Sequence, residues 1–107
     1  MKLVLGFDTS CYTTSVAFLS QDGELVADER RPLAVKAGGK GLAQSEMVYQ
    51  HTRQLPAVFA AAAAKAGGRP DIAAVAASSR PRPPTASYMP AFLVGAGYGE
   101  VVARSHG

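Results

Sequence analysis

With one cysteine, two histidines and eight acidic residues, this 107-residue chain is poor in metal ligands and disulfide partners. Cys11 alone can form no internal disulfide and no cysteine metal cluster. His51 and His106 are far apart in sequence, so they have no ligand-pair spacing, and His51 falls on an apolar helical stripe that suits a satisfied packing residue. No apolar run approaches the roughly 20 residues of a membrane span. The chain opens directly into a strand pattern, and a cytoplasmic location is expected. A peptidase is disfavoured, because there is no Cys–His pair, serine-triad pattern or zinc-protease helix motif to point to.

What is present suits one small domain. Hydrophobic residues make up 48% of the chain, but much of that is alanine, which buries little area. The net charge of +3 is mildly basic. Arg30, Arg31, Lys36 and Lys40 lie close together, as do Arg80 and Arg82. Each suits solvated surface, and together they allow contact with an anionic partner such as tRNA.

The most informative stretch is Leu3 to Ser20. Two apolar runs (Leu3, Val4, Leu5, Phe7 and Val16, Ala17, Phe18, Leu19) flank a polar segment, the signature of a β-hairpin. The segment Asp8-Thr9-Ser10-Cys11-Tyr12-Thr13-Thr14-Ser15 gathers one carboxylate and five Ser or Thr hydroxyls at the tip. Hydroxyls and backbone amides donate to phosphate oxygens, and a carboxylate can hold the accompanying Mg²⁺ through water. The same composition also fits a turn in which Asp8 serves only local backbone donors.

After the turn Gln21-Asp22-Gly23, a third strand is expected over Glu24 to Arg31, completing a meander. Pro32 to Gly41 reads as loop. A helix should begin near Ser45, with Glu46 in its first turn and Met47, Val48, His51, Leu55, Val58, Phe59 and Ala62 on one face. Pro56 is expected to kink or split it, and Gly67-Gly68 to end it. Asp71 to Ala77 reads as a central strand covered on both faces. Ser78 to Pro84 is an extended connection. Thr85 or Ser87 can cap a last helix, with Pro90 in its first turn. Gly95, Gly97 and Gly99 read as a packing face of that helix.

The expected order is β-β-β-α-β-α, an α/β unit that resembles a ribonuclease-H-like half domain. Such halves build the actin, hexokinase and Hsp70 (ASKHA) superfamily, where two units face each other across a nucleotide cleft.

Three ordered segments add a closer likeness: LGFDTSCYTTSVA at 5 to 17, QSEMVYQHTRQLP at 44 to 56, and AAVAASSRPRP followed by SYMPAFLVGAGYG. Together they resemble the N-terminal part of the family that makes threonylcarbamoyladenosine in tRNA, long labelled glycoproteases or O-sialoglycoprotein endopeptidases. Glu46 and His51 keep the spacing of a Glu and a His in the corresponding family helix. Two departures stand out: Tyr12 and Thr13 replace an acidic pair, and Arg80-Pro81-Arg82-Pro83 replaces a glycine-rich turn. In these the chain is similar to a divergent branch from Gram-positive bacteria.

The resemblance implies a nucleotide-phosphate-facing subdomain. Asp8, Thr9 and Ser10 would position ATP or a threonylcarbamoyl-adenylate with Mg²⁺, while Cys11, Thr13 and Thr14 shape the turn. None would be a general base. The family's metal ligands, a histidine pair and a distant aspartate, lie beyond this stretch, so the chain is expected to bind no such metal and to be inactive alone. It should be a fragment that associates with the rest of its parent, or with a homologous subunit through its helices. A non-catalytic scaffold of the same superfamily is the alternative reading, and a lobe of a sugar or acetate kinase a further one. Weak or absent Mg-ATP binding is expected of the isolated domain.

Overall fold

The computed structural model describes residues 2–36, 38–39, 41–79 and 89–106. Within them the chain is a mixed α/β fold, one four-stranded sheet with two helices. Strands β1 (Lys2–Asp8), β2 (Thr13–Ser20) and β3 (Leu25–Pro32) form the expected meander. Helix α1 (Gln44–Lys65), strand β4 (Asp71–Ala77) and helix α2 (Ala91–Ser105) complete the order. Spatially the strands run β3-β2-β1-β4, antiparallel except for the parallel β1–β4 pair.

Alternation in β1 sends Leu3, Leu5 and Phe7 inward, joined by Val16 and Phe18 of β2 and Ala27 of β3. Leu55, Val58, Ala62 and Ala63 of α1 and Val94 of α2 close over them. The Phe59 ring stacks on Phe7 with centroids 6.2 Å apart and meets Phe18 edge-on at 6.0 Å. Phe18 and Leu5 have no accessible surface, and each such side chain contributes about 1.5–3 kcal/mol by burial.

Both helices contact only the face carrying Leu5 and Phe7. The opposite face carries three rows set by the strand register. Ala74, Val4 and Leu19 make an apolar row, Ala76, Gly6, Ala17 and Asp28 a mostly small one, and Asp8, Ser15 and Arg30 a polar one.

Four expectations need correction. Strand β4 is not central: it lies at the sheet edge, and Ala73, Ala74, Ala76 and Ala77 are exposed. Its apolar run reflects parallel pairing with β1 and contact with α2 on one face only, and alanine gives no period to tell this from full burial. Pro56 does not split α1, which continues through it as one element, because Leu55, Val58 and Ala62 on either side are anchored in the core. Thr13, Thr14 and Ser15 belong to β2 rather than the turn, since they pair with Pro32, Arg31 and Arg30 of β3. The fourth concerns α2. Gly95 and Gly99 pack, a Cβ on them coming within 3.1 Å of Thr9 Oγ1 and 3.3 Å of Val75 respectively, but Gly97 meets nothing.

Helix α1 ends as expected. Gly68 N–H donates to the Ala63 carbonyl at 2.8 Å and Gly67 N–H to that of Ala64 at 3.3 Å, both glycines having positive φ. The expected caps Thr85 and Ser87, the connection beyond Ser79, and Lys40, Arg80 and Arg82 lie outside the described residues. Helix α2 follows Pro90 with no side-chain cap, but Gln44 of α1 accepts the Ala91 N–H at 2.9 Å and stands in for one.

Candidate functional site

The parallel strands β1 and β4 end side by side, so Asp8, last in β1, lies next to Ser78, just past β4. Open α/β sheets bind ligands at the carboxyl ends of such strands. Asp8 is exposed there, and its Oδ1 accepts the Ser10 backbone N–H at 2.9 Å and the Ser78 hydroxyl at 2.9 Å. Partial burial pushes the Asp8 carboxyl up, but the donors on Ser10 and Ser78 and the nearby His51 outweigh it and hold the acid below its usual range. It is therefore a carboxylate at neutral pH.

Beside Asp8 the sheet's uncovered face hollows into a concavity of about 490 Å³. Its floor is Gly6, Ala17 and Ala76, and Asp8, Ser15, Ser78 and Arg30 supply polar groups around it. The Arg30 guanidinium is held by Asp28 through two bonds of 3.1 Å, so its charge is largely offset across that wall.

The six hairpin residues named from sequence divide into two sets. Asp8, Ser10, Cys11 and Thr13 have accessible surface at the strand ends. Thr9 and Thr14 are fully buried. Thr9 turns under the bend, donating to the Ala91 carbonyl at 2.7 Å and accepting the Gly95 N–H at 3.0 Å, so it fastens β1 to α2. Thr14 contacts α1, with Oγ1 2.8 Å from His51 Nδ1 and 3.0 Å from Gln54 Nε2. These two hydroxyls hold the bend from beneath and do not face the concavity.

His51 is as buried as the core and engaged at both nitrogens, Nε2 lying 2.8 Å from the Cys11 carbonyl. A carbonyl only accepts, so Nε2 carries the proton and Nδ1 accepts from Thr14. The donors run Gln54 to Thr14 to His51 to Cys11. Burial pushes the imidazole pKa down, against the pull of the Cys11 carbonyl and Asp8, and the ring is neutral. With both nitrogens committed, His51 does not fit a metal centre, and His106 Nδ1 sits 3.0 Å from the Val102 carbonyl at the end of α2. Among the described residues no three His, Cys, Asp or Glu side chains gather as a metal group would require. No described helix is long and apolar enough to cross a membrane.

Sequence reasoning missed Ser78, Gln54 and Gln44. Only Ser78 had a signal: if β1 and β4 pair in parallel, the residue after β4 must meet the acid that ends β1. No family model matches the chain, and no match is found among curated proteins.

Proposed function

We propose that this chain is the nucleotide-phosphate-facing subdomain of a tRNA threonylcarbamoyladenosine transferase, of the ribonuclease-H-like half-domain type. The observation that carries the reading is the Asp8 carboxylate at the paired ends of β1 and β4, exposed beside an open concavity. The strand order β3-β2-β1-β4 with both helices on one face supports it. In this reading Asp8 holds Mg²⁺ through water, the ion supplying charge neutralisation for ATP or an adenylate. Ser10 and Ser78 keep the carboxylate aimed, and Ser15 adds a donor from β2. Thr9 and Thr14 act as supports rather than ligands. Among the described residues no side chains gather for the family's other metal, and in this reading the chain carries out no transfer by itself.

The test is Mg-ATP titration followed by amide NMR. Perturbation centred on Asp8, Ser10 and Ser78, and abolished by Asp8→Asn, supports the reading. Shifts indifferent to that substitution defeat it, as does threonylcarbamoyl transfer by the isolated chain.

A scaffold role is the second reading, favoured by the outer surface of the helices. Leu93, Tyr98 and Val101 of α2 are 52%, 41% and 64% exposed, and with Thr52 of α1 they line a groove of about 350 Å³. A homologous subunit docking through its own helices would cover them.

A further inference from the structure

The two helices divide the sheet between them. Helix α1 packs on β2 and β3 and helix α2 on β1 and β4, so the seam between them passes over Phe7 of β1. A cavity of about 270 Å³ lies in that seam, lined by Phe7, Leu55, Pro56, Phe59, Tyr98 and Val102, none of them charged. It reaches the core at Phe7 and Leu55, which are buried, and meets solvent at Pro56 and Tyr98, which are exposed. The Asp8 concavity is on the other face of the sheet, over Gly6, Ala17 and Ala76.

One backbone group at the mouth has lost its helical partner. Pro56 lies inside α1 and has no N–H, so the Thr52 carbonyl forms no bond to the residue four positions on. A helical carbonyl points toward that residue, which here is a wall of the cavity. Water can reach this acceptor from the exposed side of α1. A pure hydrocarbon closing the mouth would bury it unpaired, at a cost, whereas an occupant with an N–H would satisfy it. The floor specifies the rest of the ligand. Phe7 and Phe59 are nearly parallel, 19° between planes, and a further ring packs on such a pair by offset or edge contact. Apolar cavities of about 150 Å³ take benzene, so this larger one has room for a bicyclic ring.

We propose that the α1–α2 seam binds a small neutral aromatic molecule bearing one N–H donor, of the indole class. Its rings lie against Phe7 and Phe59, and its N–H donates to the Thr52 carbonyl. The site stands whether or not the Asp8 end of the sheet meets a nucleotide.

The experiment titrates the full chain into indole and, separately, into 1-methylindole, which keeps the rings and lacks the donor. The chain has no tryptophan, so indole emission belongs to the ligand alone. Saturable, blue-shifted emission is expected for indole, with affinity several-fold weaker for 1-methylindole. Pro56→Ala gives the Thr52 carbonyl its helical N–H back and suits the helix, so this variant should bind the two ligands alike. Val102→Phe fills the cavity and should abolish binding of both. No saturable shift in the parent chain overturns the proposal, as does equal affinity for the two ligands there. A preference for indole that survives Pro56→Ala, or binding that survives Val102→Phe, overturns it too. Sedimentation as a dimer whose formation protects Pro56 and Tyr98 from solvent would give the seam to a second copy and overturn it as well.

Discussion

Ser78 Oγ donates to Asp8 Oδ1 at 2.9 Å across a separation of 70 positions in the chain. That contact joins the ends of two parallel strands and fixes the direction of the carboxylate before any ligand arrives. Asp8→Asn should fold, changing stability by no more than about 1 kcal/mol, the net worth of an exposed hydrogen bond. It should abolish Mg-ATP shifts in the bend. Chemical denaturation and amide NMR on the same sample separate the two effects.

Thr9→Val tests the bracket under the bend. The valine keeps the volume but leaves the Ala91 carbonyl and Gly95 N–H without the hydroxyl, and the expected loss is about 1–3 kcal/mol. Thr9→Ser should recover most of it. Urea unfolding midpoints measure both, and an unchanged midpoint in Thr9→Val would remove Thr9 from its supporting role.

Gly6→Ala should stabilise the protein by about 0.5–1 kcal/mol, because a Cβ there meets only the Ala17 carbonyl at 3.9 Å and the strand interior gains a residue with less chain entropy to lose. Gly95→Ala should do the opposite, as its Cβ would come within 3.1 Å of Thr9 Oγ1 and 3.4 Å of Phe7. Paired thermal melts of the two variants give the signs directly.

The pH dependence follows from His51. Its folded pKa is below the ordinary value, so the unfolded chain takes up a proton first, near about pH 6.5. The stability conferred by the neutral ring is complete above that pH and is lost as pH falls through the folded value. The urea midpoint should drop between about pH 7.5 and about pH 5.5, and His51→Gln should flatten that window. Asp8, also lowered, adds a second loss only in acid below the ordinary carboxylate range.

Val101→Glu and Leu93→Lys probe the helix surface. Both residues are exposed, so stability should change by less than about 0.5 kcal/mol. Association with a helix-docking subunit, followed by sedimentation, should be lost. Association that persists in the double variant would turn attention away from this groove.

Elements with strong periods were legible in the sequence. The alternation of Leu3, Leu5 and Phe7 and the stripe Met47, His51, Leu55, Val58 announce one strand and one helix face. A fourth strand was legible too, from the short apolar run Asp71 to Ala77, but not which strand it pairs with. What the sequence hid was placement. Alanine in β4 is compatible with core or edge, and only the sheet order decides. Hydroxyls of the hairpin look alike on paper, yet those of Thr9 and Thr14 point into the protein because strand alternation carries past the bend. Ser78 was overlooked for a different reason: its signal appears only once β1 and β4 are set in parallel register.

The outer margin of β4 has a consequence for handling the protein. Asp71–Ala77 has one charge, no proline and mostly alanine side chains, and among the described residues its backbone is paired on one side only. Natural sheets guard such margins with lysines or irregularities, and here the irregularity in the β1–β4 pairing, between Leu3 and Val4, sits near the Asp71 end. A concentrated solution should therefore grow cloudy by ribbon-to-ribbon stacking, and a lysine in place of Ala73 should keep it clear.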